Sequence, residues 1–532
     1  MSNLKNGAVA AFWLITVSAW TLFFVAPKAN AKVELPDVFS SHMVLQCGMP
    51  VPIWGKANRR EKITVQFRDQ TKSTVADAAG HWSLKLDPLE AGGPDILTVT
   101  GADIVTFEDV LVGEVWLGSG QSNMNHFPSL CFKDADELHQ PRDTKLEQDV
   151  AQTWPQVRLL RRPPRPQSWE LATPETTLKF SALLLEFGIQ LQAELKVPVG
   201  LIVGAEGGTT SGVWIPRDAF DKDEAVQKAV LADSPKLEAK RLKAQAELAK
   251  WKQTPAATNP AAVPPVRVPV RPAELAAIGQ NYRRFVVPNR PFAIRGVLWD
   301  QGESDTGIEG VDQYTLMGAL IAGWRKDWGQ GDFPWIYIQK PSGWGCALNP
   351  KDPVTARAVP FAPLPAQIPT TKWHDGRRRV MYDRIREYPN TAMACVSDLG
   401  VGLHPLDKSA YAARAVRAAL ALAYHQPIEI YGPSFRSMDL EDGKARIHYT
   451  HVDKGLAVPA GKPLQGFTIA GEDKVWHWAD AKLDGETVLV SSPKVAKPVA
   501  VRYAWAERIP WATLFSQNGL PALPFRTDDW VD

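Results

Sequence analysis

The chain has 532 residues, too many for a single core, and this length predicts about three domains. Sixty lysines and arginines nearly balance 58 aspartates and glutamates, which removes the electrostatic case for a nucleic-acid partner or an anionic membrane surface. Twenty tryptophans supply flat amphipathic rings of the kind that pack on sugars, although most of them must fill cores.

At the N-terminus, Lys5 precedes an apolar run from Ala8 to Ala26 and then Ala29-Asn30-Ala31, the arrangement of a secretory signal cleaved before Lys32. Export to the periplasm or the cell exterior follows, with no membrane partner expected after cleavage. The run is nearly long enough to span a bilayer, so an uncleaved anchor is the alternative. Cys47, Cys131, Cys346 and Cys395 are scattered and lack the CxxC spacing of metal or redox sites. They read as one or two disulfides or as buried free thiols.

Residues 32–108 form a first module of short alternating segments, such as Lys62 to Phe67 and His81 to Leu86, separated by Gly, Pro and Asp; this is the pattern of half-buried strands in a small β-sandwich. Residues 109–430 change character. Apolar strands at Val110 to Leu117, Val199 to Val203, Ile294 to Trp299, Trp335 to Gln339 and Ala392 to Ser397 alternate with helical stretches that include Phe180 to Leu195 and Ser409 to Tyr424. Such alternation predicts an α/β domain with a parallel sheet and helices on both faces. An insertion at 218–285 interrupts it, with a charged helix around Leu237 to Trp251 carrying a narrow apolar stripe, then a Pro/Ala-rich linker from Thr254 to Pro272. The irregular stretch Pro341 to Asp375 holds Trp344, Trp373 and His374 and is a candidate substrate loop. Residues 431–532 return to short strands and form a second β module.

Chemistry concentrates where the parallel strands end. Val115 to Met124 runs from an apolar strand into a glycine-hinged turn that presents Ser122, and a sharp strand-to-helix turn can lift a serine hydroxyl toward a base and a substrate. The spacing is not GxSxG, because Met124 stands where the last glycine would be. At Gly204 to Thr209, positions without side chains follow a strand, so that backbone N–H groups can approach a ligand oxygen closely. GxGxxG is absent, which disfavours a nucleotide. Trp299 to Asp305 ends another strand in a polar cluster: the Gln301 amide can donate to a developing oxyanion, whereas Glu303 and Asp305 suit loop-holding roles. Last, Ser397 to Pro405 leads through glycines to His404, the leading general base because its ordinary pKa lies near neutrality. His126 lies beyond the serine turn and is expected to meet substrate or solvent. No metal-ligand set such as HExxH occurs, and His448 and His451 fall three apart on a predicted strand, on opposite faces.

Gly120-Gln121-Ser122-Asn123-Met124, Trp299 with Gln301 to Ser304, and Leu403-His404-Pro405 with Lys408 resemble the sialate O-acetylesterase family of SGNH hydrolases. The likeness continues through Leu35 to Ser40, Met43 to Gln46, Gly207 to Thr209, Gly519 to Ala522 and Pro524 to Trp530, and it omits only the insertion and the Pro341 to Asp375 loop. The resemblance implies an SGNH-hydrolase (flavodoxin-like) three-layer α/β/α domain flanked by the two β modules, an acetylated carbohydrate as substrate, and no cofactor. By motif it implies Ser122 as nucleophile and His404 as base, with the Ser122 amide, a glycine amide of Gly207-Gly208 and Gln301 as the oxyanion hole, and with Asn123, Trp299 and Glu303 at the substrate. One departure stands out. Many SGNH hydrolases carry an aspartate three residues before the histidine, where this chain has Val401. Asp398 matches the aspartate of the family's DLG-type segment and is the candidate orienting acid; Asp407, or a Ser-His dyad with no acid, are the alternatives. A xylan or pectin acetylesterase, and a non-catalytic carbohydrate-binding protein on the same scaffold, are the other readings.

Overall fold

The apolar run expected to begin at Val110 is the second half of one long strand, Ile104–Gly120, which crosses residue 108 without a break. Its first half pairs with Gly92–Thr100 of the N-terminal module and its second half is the central strand of the α/β sheet, so the two parts share a strand. The computed structural model describes residues 32–161, 168–253, 266, 268, 277–369 and 376–530. The expected signal segment and most of the Pro-rich linker lie outside the described residues, as do Trp373 and His374. No helix among the described residues is long and apolar enough to cross a membrane.

We label the central-sheet strands β1 (Ile104–Gly120), β2 (Trp154–Arg161), β3 (Glu170–Ala172), β4 (Val199–Ala205), β5 (Gly296–Asp300), β6 (Trp335–Ile338) and β7 (Thr391–Ala394). They lie in the order β7-β6-β5-β1-β4-β2-β3, every pair parallel except β2–β3. Setting aside the β2–β3 edge, the chain order across the sheet is 2-1-3-4-5, the flavodoxin-like order. Strand β1 is the first of these, and its neighbours β4 and β5 are reached by crossovers in opposite directions. A crevice therefore opens beyond the carboxyl end of β1, where ligands bind in open α/β sheets.

The alternation of side chains explains why these strands read as unbroken apolar runs. Val115, Leu117, Ile202, Val297, Trp299, Trp335 and Tyr337 point into one core, while Trp116, Leu201, Val203, Leu298, Ile336 and Ile338 point into another. A sheet covered on both faces has no polar side. One cover is the pair of packed helices α1 (Ala182–Leu195) and α3 (Lys408–Leu422), and the other includes α2 (Gln313–Trp328). Helix α1 starts where the Ser181 hydroxyl accepts from the Leu184 N–H at 3.1 Å and stops where Lys196 turns left-handed. In the insertion, the helix expected around 237–251 is longer, Glu224–Gln253, and accommodates Pro235; it buries only Val226, Leu237 and Ala244.

Each flanking module folds mainly as antiparallel strands, although Val44–Gln46 of the N-terminal module runs parallel to β1. The C-terminal module holds two four-stranded sheets around Ile447, Val488, Phe467, Ile469, Val501 and Phe525. It is clipped to the α/β domain by one guanidinium. Arg379, fully buried, donates to the carbonyls of Pro341 and Gly343 on one side and of Ala506 and Glu507 on the other, at 2.6–3.2 Å. The four cysteines are unpaired thiols.

Candidate active site at the carboxyl edge of the sheet

Gly120 makes the turn that ends β1. Its φ of +132° suits glycine, and a Cβ there would lie 2.1 Å from the Asp300 carbonyl. Two bonds pin the turn to the neighbouring strand ends: the Gln121 N–H donates to the Asp300 carbonyl at 2.9 Å and the Glu206 N–H to the Gly120 carbonyl at 3.2 Å. Ser122 opens the short helix Ser122–Asn125, half-buried, with the first N–H of that helix, which has no partner within it. Facing it is Gly207. A Cβ on Gly207 would stand 3.4 Å from the Ser122 Cβ and 4.0 Å from its nitrogen, so the missing side chain leaves the space before the serine open. Gly207 and Gly208 are exposed, and neither N–H donates to a described residue.

His404 reaches the same edge through Asn123, whose side-chain amide donates to the Leu403 carbonyl at 3.0 Å and to Glu303 at 3.0 Å, while its oxygen accepts from the Lys408 ammonium at 2.9 Å. This buried amide joins the serine turn, the 300–304 loop and the histidine loop. Glu303 is the second hub, accepting from Gln121 as well and from Lys340 at 2.5 Å; Lys340 also pairs with Asp300 at 2.6 Å. Among three charged groups taken out of water, each is compensated by an opposite charge or a hydrogen bond, as burial demands. Burial, and next the Lys408 charge, hold the His404 pKa below the ordinary histidine value, against the opposing pull of Glu303 and Asp134. A neutral imidazole is the form that can accept a proton.

Several expected residues take other places. His126 is buried, not facing solvent: its ring stands at 90° to His404 with centroids 5.3 Å apart, and its Nε2 lies 3.1 Å from Asp134. Burial, and next the charges of Lys408 and His404, push its pKa down to about 3, so the ring beside this carboxylate is neutral. Trp299, expected at the substrate, is 1% exposed and packs among Trp214, Trp324 and Trp335, because its position on β5 points into the core. The Gln301 amide donates to the carbonyls of Thr209 and Asp305 at 3.2 and 3.3 Å, and its oxygen accepts from Ser211. A place in an oxyanion hole would require it to give up one of those bonds. Asn123, likewise, spends its hydrogen-bonding groups on the protein.

Asp398 pairs with Arg414 at 2.7 Å, and burial raises its pKa. Asp407, at the start of α3, is buried and pushed up to about 7 by burial and by Asp143. Among the described residues neither carboxylate hydrogen-bonds His404. We expect Asp398→Asn to cost stability, because it removes the anion facing a buried guanidinium, while the specific activity of the folded fraction falls less than tenfold. Urea unfolding and active-site-titrated kinetics measure both; a loss of activity of about 10⁴-fold at unchanged stability would make Asp398 the orienting acid.

A cavity of about 350 Å³ lies beside this edge, walled by Glu303, Lys340, Trp344, Leu403, Glu507 and Arg508 among others. Glu507 and Arg508 belong to the C-terminal module, and no motif in the sequence pointed to them. The candidate loop from Pro341 does contribute, through Ser342 and Trp344.

No protein-family profile matches the chain. The mouse sialate O-acetylesterase is 26% identical, in a match that covers 94% of this chain and 95% of that protein. The chain resembles the sialate O-acetylesterases along nearly its whole length. The human sialate O-acetylesterase is 24% identical, in a match that covers 89% of this chain and 88% of that protein. Among solved structures, a carbohydrate acetylesterase from Xanthomonas citri superposes with a TM-score of 0.71 at 27% identity, over 94% of this chain and 100% of that one. The similarity to the sialate O-acetylesterases therefore takes in both flanking β modules as well as the α/β domain, and it supports an esterase.

Proposed function

We propose that the chain is a carbohydrate O-acetylesterase that works through an acyl-enzyme on Ser122, with His404 as its base. The observation that carries this reading is the meeting of three elements at one sheet edge: Ser122 at the end of the central strand, the bare Gly207 against it, and the histidine loop tied to Asn123. In the first step His404 takes the Ser122 proton as the serine oxygen attacks the acetyl carbonyl. The Ser122 and Gly207 or Gly208 amides receive the oxyanion, each worth about 3 kcal/mol. The sugar hydroxyl leaves with the proton from His404, and water repeats the attack to release acetate. His404 acts here as half of a dyad, with Gln301 holding the two loops that frame the oxyanion site.

The direct test is acetate release from acetylated sialic acid, acetylated xylan and acetylated pectic oligosaccharides, with 4-nitrophenyl acetate as a sugar-free reference. Turnover of one or more acetylated sugars is the expected result; glycan binding with no hydrolysis of any ester would replace the esterase with a binding protein.

Two variants probe the parts. Gly207→Ala introduces a methyl group in ordinary contact with Ser122, so the fold should tolerate it, but the carbon crowds the approach to the Ser122 amide. We expect kcat to fall by about tenfold or more with Tm unchanged; full activity would remove this glycine from the site. Lys408→Met tests the electrostatics of the base. Since His404 must be neutral to act and Lys408 helps keep its pKa low, removing that cation should raise the pKa and move the acid limb of kcat/KM to higher pH. An acid limb that stays in place or moves down would show that Lys408 does not govern the base.

A further inference from the structure

The cavity beside the site has one wall residue in a conformation its side chain does not favour. Trp344 has a φ of +69°, left-handed backbone that a bulky residue rarely adopts. The surrounding chain enforces it. The Trp344 N–H donates to the Gly400 carbonyl at 3.3 Å and its carbonyl accepts from Ile509 at 3.1 Å, while the flanking Gly343 and Gly345 donate to Val396 and Ser397 at 2.9 and 2.8 Å. Residues held this way cluster at ligand sites, where the fold keeps a side chain in a place it would not choose.

What is held is an indole facing the cavity. Trp344 is half-buried, and the Arg508 guanidinium of the C-terminal module lies over its ring at 4.1 Å. Arg379 anchors the backbone just before Arg508 to the loop just before Trp344, so the two side chains are registered by one buried clip. The same cavity is walled by Leu403, a large apolar side chain left 66% exposed directly before His404 although its own carbonyl is pinned by Asn123. An indole and an isobutyl group, with the carboxylates of Glu303 and Glu507 and the Arg508 guanidinium around them, match a pyranose: C–H faces that pack on apolar surface, hydroxyls that need polar partners.

The geometry points to Trp344, clamped by Arg508, as the platform on which the carbohydrate part of the substrate stacks beside Ser122, which makes the C-terminal β module a determinant of sugar selectivity. This rests on the esterase reading for its placement at a reaction site, but the platform itself is a binding surface and can be tested without turnover. Arg508 covers one side of the indole and fixes the ring, and the sugar packs from the cavity, between Trp344 and Leu403. A short acetyl ester of a phenol needs only the serine edge and makes little use of the platform.

The test compares two measurements on Trp344→Ala, Trp344→Gly and Arg508→Ala. In kinetics, the ratio of kcat/KM for partially acetylated xylo-oligosaccharides or 9-O-acetylated sialic acid to that for 4-nitrophenyl acetate should fall at least about tenfold in both Trp344 variants, through KM, and about threefold in Arg508→Ala. In calorimetric titration on a Ser122→Ala background, the same sugars should bind at least about tenfold more weakly once Trp344 is replaced. Trp344→Gly guards against a folding artefact, since glycine relieves the positive φ and should melt no lower than Trp344→Ala. A ratio that does not change, equal losses on both substrates, or sugar binding indifferent to Trp344 overturns the platform, as does Ser122→Ala protein that binds none of the probes. Trp344-dependent binding by a wild-type protein that hydrolyses no ester would instead overturn the esterase reading and leave the platform standing.

Discussion

Ser122→Ala is expected to lower kcat/KM for 4-nitrophenyl acetate by at least about 10⁴-fold, with Tm and folded yield unchanged. The size of the loss follows from the chemistry: without the hydroxyl there is no acyl-enzyme, and His404 has only water to activate. The remaining amides at Ser122 and Gly207 would still polarise a bound carbonyl, so the residual rate should exceed that of the uncatalysed reaction. The structural neutrality also has a reason. Ser122 is half-buried and its side chain makes no hydrogen bond to a described residue, and the turn is held by the Gln121 N–H, the Gly120 carbonyl and Asn123, none of which the substitution touches. Stopped assays with acetate quantification check the rate. Retained turnover would remove Ser122 as nucleophile, and a large drop in Tm would make the activity loss uninformative about chemistry.

The largest expected effect on stability belongs to Arg379. Its guanidinium is fully buried, and burial holds its pKa down to about 10, still cationic at neutral pH. It donates to four carbonyls, two on each side of the junction between the α/β domain and the C-terminal module. Arg379→Met fills much of the volume but leaves those four acceptors without a donor in a dry environment, so we expect a loss of about 3 kcal/mol or more. Arg379→Lys should recover little, because a single ammonium cannot reproduce the planar fork that spans both sides. Urea unfolding followed by tryptophan fluorescence measures the loss. A penalty below about 1 kcal/mol would mean that the junction is held by its other contacts, among them the Ile509 N–H to Trp344 carbonyl bond, without need of the guanidinium. Since the clip also registers Trp344 with Arg508, the sugar KM of the folded variant should rise along with its instability.

Much of the fold could be read from side-chain periodicity. Val115 to Leu117, Val297 to Trp299 and Trp335 to Ile338 are apolar at every position, which only a sheet covered on both faces requires, and their alternation into two cores bears that out. The N-terminal strands showed their half-exposed alternation as plainly, as in Lys62–Phe67, where Ile63, Val65 and Phe67 are buried. The motif at Gly120 to Met124 was legible because a turn with φ of +132° needs glycine. Less could be read of what each polar side chain touches. Trp299 shares a motif with Gln301 and Glu303 yet lies in the core, since it is still on β5, whose alternation aims it inward, while the strand ends at Asp300 and the other two belong to the loop that follows. Asp398 looked available to a histidine six residues on, but one of its oxygens is bonded to Arg414, one helix away in sequence and adjacent in space, and among the described residues its other oxygen, Oδ1, bonds nothing, His404 included.

By itself, then, the sequence determined the class of fold, the strand ends at which polar residues gather, and the serine, glycines and histidine that make an acyl transfer conceivable, because backbone geometry and side-chain alternation are local properties. Only the tertiary structure decided which carboxylates are occupied, that Asn123 and Lys408 knit the serine turn to the histidine loop, and that Arg508 from the far end of the chain closes over Trp344. Those pairings depend on which loops the stacked sheets bring within hydrogen-bonding distance, and a buried charge takes whatever partner the packing puts beside it.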